Sequence, residues 1–364
     1  MTRITLFRAF PDPYRQSMRI YADELEKHLA RLLEPAEKIV SYLPSRIHLK
    51  PRWARYWSQY AAYQVLAAVH QGSINHIVDH SYAHLAHTLC ASKTVITFHD
   101  SLALQSRSEN NGRASNGQIF ESLRIYNVSA LRKAARIICV SETSCRDFLN
   151  RTGCSPDRVR VIWEGIDGRF FERKVSEPRQ SFGLKKAFYL LHVGHTQFYK
   201  NIPALFHVLS ILKHTLNREV YLLKAGTSFT ADQEKKAAEL GVADRIIHLG
   251  IVEDSRISDL YRCADIVLVP SLTEGFGLPA LEAMASGVPV IASNRGALPE
   301  IIGKAGILAD PDDYEAMSKA VISLMDTPRL RAELCETGLK HASSFTWEKT
   351  ARQTLDVYRE IEKK

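Results

Sequence analysis

The chain reads as an α/β protein made of two doubly wound domains. Short apolar runs of about five residues alternate with helical stretches, the signature of parallel β-α-β units. The alternation restarts after a polar interruption near the middle of the chain. The length, 364 residues, suits two domains at roughly 100–200 residues each.

In the first half, Ile4–Phe7 predicts a short strand and Met18–Leu33 an amphipathic helix. Trp53–Gln71, rich in aromatics, predicts a second helix. Ile74–Val78 and Lys93–Phe98 are apolar runs of the buried-strand type. Ser122–Ala135 predicts a helix, Arg136–Val140 a strand, Glu142–Asn150 a helix capped by Ser141, and Arg158–Ile162 a last strand. The second half repeats the rhythm. Strands are predicted at Phe188–Val193, Glu219–Ala225, Ile246–Leu249, Ile266–Val269 and Val288–Ala292. Helices are predicted at Pro203–Thr215, Ala231–Leu240, Ala280–Ser286, Tyr314–Met325, Arg329–His341 and from Thr346 to the end.

Between the halves, Gly168–Lys186 is polar and charged, with Pro178 and Gly183, and reads as the linker. The expected domains are 1–175 and 176–345, with a cleft between them and a final helix, 346–364. Gln105–Gln118 is nearly devoid of apolar residues and follows a strand end, where open α/β sheets place ligands. A loop over a binding site and a plain surface insertion are equally compatible with it.

Apolar residues make up 45% and charged residues 24%, which argues against disordered, collagen-like or low-complexity chains. No apolar run approaches the about 20 residues of a membrane span. The first residues lack a signal peptide's apolar core, so a cytoplasmic location is expected. The six cysteines form no C-x-x-C pair and read as reduced thiols, without a metal or disulfide role. The net charge of +8 is uneven. Residues 1–175 carry 25 Lys/Arg against 16 Asp/Glu, while the remainder carries 23 against 24. Such asymmetry suggests an anionic partner for the first half, with bare solubility as the alternative.

The densest segment runs from Pro270 to Pro289, PSLTEGFGLPALEAMASGVP. It follows the strand Ile266–Val269. Gly275 and Gly277 allow close backbone approach, Pro279 suits the start of a helix, and Gly287 suits its end. A strand, a glycine loop and a helix N-terminus together favour phosphate. Glu274 and Glu282 bracket the loop. Carboxylates beside a phosphate site repel it, so they read as acceptors for sugar hydroxyls. An ordinary strand-turn-helix with solvated glutamates is the bland alternative.

This stretch resembles the E-x7-E signature of the family 4 retaining glycosyltransferases, which have the two-domain GT-B architecture of Rossmann-like domains. Cys263-Ala-Asp-Ile-Val-Leu-Val-Pro-Ser271, Gly287-Val-Pro-Val-Ile-Ala-Ser293 and Gly306-Ile-Leu-Ala-Asp-Pro311 are similar to the family's neighbouring words. The resemblance implies that Glu282 binds ribose hydroxyls and that Glu274 contacts the transferred sugar. It also implies that the loop Gly275, Phe276, Gly277 and Leu278 faces the sugar and the diphosphate.

After the strand Phe188–Val193, the run Gly194-His195-Thr196-Gln197-Phe198-Tyr199-Lys200-Asn201 is similar to a second family pattern, in which a lysine neutralises the leaving diphosphate. Lys200 matches. Tyr199 stands where an arginine is frequent, and His195 is a candidate to compensate. Leu249–Asp254, with Gly250, Ile251 and Val252, matches the segment that holds the nucleotide base.

In the first domain, His99-Asp100 ends a strand, and the family has a matching histidine facing the sugar and acceptor. Asp79, His80 and Tyr82 resemble an acceptor-side loop; with no cysteine or carboxylate cluster beside His80 and His84, metal binding is not expected. The family's glycine-rich loop after the first strand is absent. In that stretch, Arg15 and Arg19 are the candidates to meet the donor electrostatically.

The implied function is retaining transfer of a mannose- or glucose-type hexose from a GDP- or UDP-linked donor, without metal or cofactor. His99, Lys200 and Glu274 are the expected catalytic residues. The expected acceptor is a saccharide or lipid-linked hydroxyl, with an anionic membrane surface as a partner and no nucleic acid. A sugar-nucleotide epimerase or phosphorylase on the same architecture, and a non-enzymatic binding subunit, are the competing readings. A nicotinamide enzyme is disfavoured, because no full G-x-G-x-x-G follows a strand.

Overall fold

The computed structural model describes residues 2–10, 16–43, 57–104, 117–172 and 178–363. Arg15 and most of the polar loop expected at 105–118 lie outside these. The chain divides into two compact units, Met1–Gly165 with Trp347–Lys364, and Ile166–Thr346.

The first unit holds a six-stranded parallel sheet of β1 (Thr2–Phe7), β2 (Glu37–Tyr42), β3 (Ile74–Ile77), β4 (Thr94–Phe98), β5 (Arg136–Cys139) and β6 (Val159–Val161), in the order β2-β1-β3-β4-β5-β6. Alternate side chains go to opposite faces of a strand. Ile4, Leu6, Val95 and Ile138 therefore join one core, while Phe7, Ile96, Phe98, Ile137 and Cys139 join another. Both faces are covered, which is why these strands read as continuous apolar runs.

One face takes the helix Gln16–Ala30 through Tyr21, Ala22, Leu25 and Leu29. The terminal helix Trp347–Glu362 packs beside it, burying Trp347, Ala351, Val357, Tyr358 and Ile361. Glu360 of this helix accepts hydrogen bonds from Arg136 at 2.9 Å and Arg160 at 2.7 Å. The helix Glu142–Thr152 starts at Ser141, whose hydroxyl accepts the Ser144 N–H at 2.9 Å.

The second unit holds β7 (Phe188–Val193), β8 (Val220–Ala225), β9 (Ile246–Gly250), β10 (Ile266–Val269), β11 (Val290–Ser293) and β12 (Ile307–Ala309), all parallel, in the order β12-β11-β10-β7-β8-β9. Its core gathers Leu190, Leu222, Ile266, Leu268 and Ile291 with Leu205, Phe206 and Leu209 of the helix Ile202–Thr215. Ile166 and Thr346, the ends of this unit, pair in a parallel bridge.

Both sheets are doubly wound α/β, as the alternation predicts. Two strands escape the sequence reading, β2 and β12. Both are at sheet edges and only partly buried; Glu37, Lys38 and Ser41 interrupt the apolar run of β2, and β12 is only three residues long. The helices Ile257–Cys263 and Leu298–Ile302 are also missed; each is too short to complete a periodic pattern. Of the expected helix Trp53–Gln71, the structure shows a π-helical turn, Ser58–Ala62, running into an α-helix, Tyr63–Val69.

Candidate functional site

In the second sheet the winding reverses between β7 and β10, so their connections diverge and leave a crevice at the C-terminal strand ends. Two loops meet there. The loop after β7 begins at Gly194, φ +143°, and ends at Asn201, φ +50°. Asn201 is the one non-glycine among the described residues in the left-handed region, which asparagine tolerates because its short amide can bond locally. Its Nδ2 donates to the Pro311 carbonyl at 3.1 Å. The loop after β10 runs from Pro270 to Gly277, where φ +110° starts the helix Leu278–Ala285. The Leu272 N–H donates to the Tyr199 carbonyl at 2.7 Å and ties the two loops together.

Lys200 Nζ donates to Glu274 Oε1 at 2.6 Å, and the Ser271 hydroxyl donates to the same oxygen at 2.7 Å. Lys200 is 7% exposed and its carboxylate partner is half-buried, so this ion pair is shielded from solvent. Phe276 is buried behind the loop against Phe345. A Cβ on Gly296 would come within 2.7 Å of the Glu274 N–H nitrogen, so that glycine lets the loop fold back on itself.

Glu282 lies one helical face away and does not share these partners. Its Oε2 accepts the Tyr261 hydroxyl at 2.6 Å. Burial pushes its carboxyl above the usual range, while the Tyr261 hydrogen bond and the Arg169 guanidinium pull it back. His195 and Tyr199 are hydrogen-bonded at 2.8 Å, so the residue in the arginine position holds the histidine. Gly250 ends β9, and its carbonyl accepts the Gly226 N–H at 2.7 Å; Ile251 is exposed and Val252 follows it.

The sequence reading passes over Lys224. It is wholly buried at the end of β8, and its Nζ donates to the Gly194 carbonyl at 2.6 Å and the Ala225 carbonyl at 2.8 Å. Its only signal in the sequence is a lysine inside the otherwise apolar run Val220–Ala225.

In the first unit, Asp79, His80, His99 and Asp100 gather at the ends of β3 and β4. His99 is 3% exposed and both ring nitrogens are engaged, Nδ1 with Glu164 at 3.1 Å and Nε2 with the Val78 carbonyl at 2.9 Å. Burial disfavours its charge, but Glu164, Asp79 and that carbonyl outweigh burial and raise its pKa. Its ring therefore serves the protein itself and offers no spare nitrogen to a sugar. The His99 N–H donates to His80 Nδ1 at 3.3 Å, and Asp100 accepts the Leu102 N–H at 2.9 Å. The Tyr82 hydroxyl accepts the Phe10 N–H at 3.1 Å, and Arg19 pairs with Asp23 at 3.5 Å. No group of three or more metal-ligating side chains occurs among the described residues.

Comparison with known proteins places these loops in a family. Residues 175–341 match the model described as glycosyl transferases group 1, and residues 17–169 match glycosyltransferase family 4. The O-antigen chain mannosyltransferase B of Escherichia coli is 30% identical over 281 residues, covering 76% of this chain and 72% of that protein. An MMP α-(1→4)-mannosyltransferase of Mycolicibacterium hassiacum is 32% identical over 233 residues, covering 62% of this chain and 54% of that protein. For the first of the curated relatives, the match thus spans about half of the relative's length. Among solved structures, a sucrose-phosphate synthase from Thermosynechococcus elongatus superimposes with a TM-score of 0.79 at 21% identity, over 99% of each chain. HepE from Anabaena, in complex with UDP-glucose, gives 0.74 at 17% identity, over 98% of this chain and 100% of that one.

Proposed function

This chain belongs to the group 1 glycosyltransferases of family 4, with the two-domain GT-B fold, and on that footing we propose that it transfers a hexose from a nucleoside diphosphate sugar to an acceptor hydroxyl. The observation that carries this reading is the shielded Lys200–Glu274 contact, which stands where the sheet's winding reverses and beside a helix N-terminus.

The donor diphosphate lies against Lys200 and the start of the helix Leu278–Ala285, both of which favour negative charge. Glu274, held by Lys200 and Ser271, meets hydroxyls of the hexose. Glu282 takes the ribose hydroxyls, and Gly250–Val252 takes the base through its backbone. As the bond from the anomeric carbon to phosphate oxygen breaks, negative charge grows on the departing diphosphate, and Lys200 is already positioned to receive it. The acceptor hydroxyl attacks on the same face, its proton passes to the departing phosphate oxygen, and the configuration is retained. This route requires no metal. The hexose is of mannose or glucose type, GDP- or UDP-linked; the two relatives named above are mannosyltransferases.

The first unit receives the acceptor, a saccharide or lipid-linked hydroxyl, near Asp79, His80, Tyr82 and Asp100. His99 is a positioning residue there, fixing the ends of β3 and β4. This unit also supports contact with an anionic membrane surface. Trp57, Val65, Leu66 and Val69 are exposed, and the last three line one side of the helix Tyr63–Val69. From Lys38 through Val78 the sequence contains five Lys/Arg and no Asp or Glu. Among the described residues, no helix is long and apolar enough to cross a membrane, so the contact is with the surface.

The test is a panel of UDP- and GDP-linked glucose and mannose, scored by thermal shift and by donor consumption with saccharide acceptors. A donor that raises the melting temperature and is consumed only with an acceptor supports transfer. Binding of none of the four would overturn it.

A further inference from the structure

The Lys200–Glu274 pair raises an electrostatic difficulty. Its two charges cancel at 2.6 Å, and Tyr199 occupies the place where a second cation is frequent in the family. The pair therefore brings no net charge to a ligand carrying two phosphates. Arg295, beyond Glu274, is likewise bridged by Asp310 at 3.0 Å and Asp312 at 2.8 Å.

The missing positive charge is present behind the loop. Lys224 is fully buried, yet among the described residues no carboxylate contacts its ammonium; it is surrounded by carbonyl oxygens of Gly194, Ala225 and, at 3.4 Å, Thr227. A buried charge satisfied by dipoles alone keeps its field. The local backbone is shaped around it. The pairing of β8 with β9 slips between Lys224, which faces His248, and Ala225, which faces Gly250. Such an irregularity re-aims side chains near functional sites. Gly226 follows with φ +114°, and a Cβ there would overlap the Gly194 carbonyl. The carbonyl of Gly194 is turned inward to Lys224, so the planar trans peptide directs the His195 N–H the opposite way.

Building on the donor-site reading above, we propose that Lys224 is a positioning residue of the diphosphate site, which turns the Gly194 carbonyl inward and supplies the positive potential that Glu274 cancels on Lys200. Removing its charge leaves the Gly194 carbonyl without the Lys224 donor, while the Ala225 carbonyl keeps the Gly194 N–H at 3.0 Å. The Gly194 peptide then turns its oxygen outward, toward the phosphates. The groups that face Lys224 are Lys200, on the loop, and His192, on β7; His248 reaches the Thr227 carbonyl at 3.3 Å. Burial holds His192 near pKa about 3, so it stays neutral and adds no charge. Burial, with Lys200 nearby, likewise lowers Lys224 to about 8.

The test compares UDP and GDP with uridine and guanosine by calorimetric titration, on the full chain and on Lys224→Met. The expected result is a loss of about tenfold in diphosphate affinity, with nucleoside affinity unchanged within about twofold. Equal loss of both would show a merely structural lysine and overturn the proposal, as would no loss at all. If Lys224→Met does not fold, the unmodified protein decides. Its preference for the diphosphate over the nucleoside should fall between pH 7 and 9.5, the fall setting in at about pH 8. A flat ratio would overturn the proposal. Failure of the unmodified protein to bind any of the four at neutral pH would instead remove the donor-site reading itself.

Discussion

Lys200 and Glu274, 74 residues apart in the chain, share a 2.6 Å hydrogen bond at the C-terminal ends of two neighbouring strands. Each side chain is shielded by the other's loop. The contact assembles a cation, a carboxylate and a helix N-terminus in one place before any ligand arrives. Such preorganisation lets charge develop on a leaving group without rearrangement of the protein.

Replacing Lys200 with Met should reduce transfer by about 10²-fold or more, because the charge aimed at the departing diphosphate is gone. It should also destabilise the second unit by about 3 kcal/mol, since Glu274 keeps a shielded charge without its partner. Steady-state rates and chemical denaturation measure both. Activity within threefold of the unmodified protein would refute the assigned role.

Glu282→Ala should weaken donor binding by about tenfold, the cost of a lost hydrogen bond to a charged group. Tyr261→Phe leaves the carboxylate in place and should cost less. Calorimetric titration with the preferred donor ranks the three proteins. Unchanged affinity in Glu282→Ala would move the ribose elsewhere.

The His99–Glu164 pair predicts a pH-dependent stability. The folded pKa of His99 is raised above 6.5, so its contribution is complete below pH 6.5 and is lost as pH rises through the raised value. Glu164→Gln should therefore be destabilised relative to the unmodified protein by about 2 kcal/mol at pH 6, with a smaller gap at pH 8.5. Urea unfolding at the two values checks this. A gap that widens with pH would contradict the assignment.

Val65→Glu with Val69→Glu should abolish binding to vesicles rich in phosphatidylserine at low salt, with little effect on melting, because both side chains are exposed. Vesicle flotation reads the outcome. Retained binding would mean that this helix is not the contact.

Much of the architecture is legible in the sequence because most strands are buried on both faces. Such strands read as apolar runs, and ten of the twelve are found in this way. The two that are missed, β2 and β12, are edge strands: polar residues break the run of β2, and β12 is only three residues long. The candidate site is legible unevenly for a related reason. Glu274, Gly275, Gly277 and Glu282 lie within one continuous word, so local spacing displays them together. That spacing shows two carboxylates bracketing the loop but not their partners; the fold turns Glu282 toward Tyr261 and leaves Glu274 to Lys200.

What the sequence alone determined is the alternation of strands and helices, the restart at mid-chain, and the glycine loop with its two glutamates. These depend on neighbours within about two turns of helix or one strand, a distance over which spacing is geometry. The engagement of both His99 nitrogens by Glu164 and Val78, and the burial of Lys224 beneath Gly194, were decided only by the tertiary structure. Both depend on strand order in the sheet, which brings distant residues together, and no local pattern records which partner a buried charge will meet.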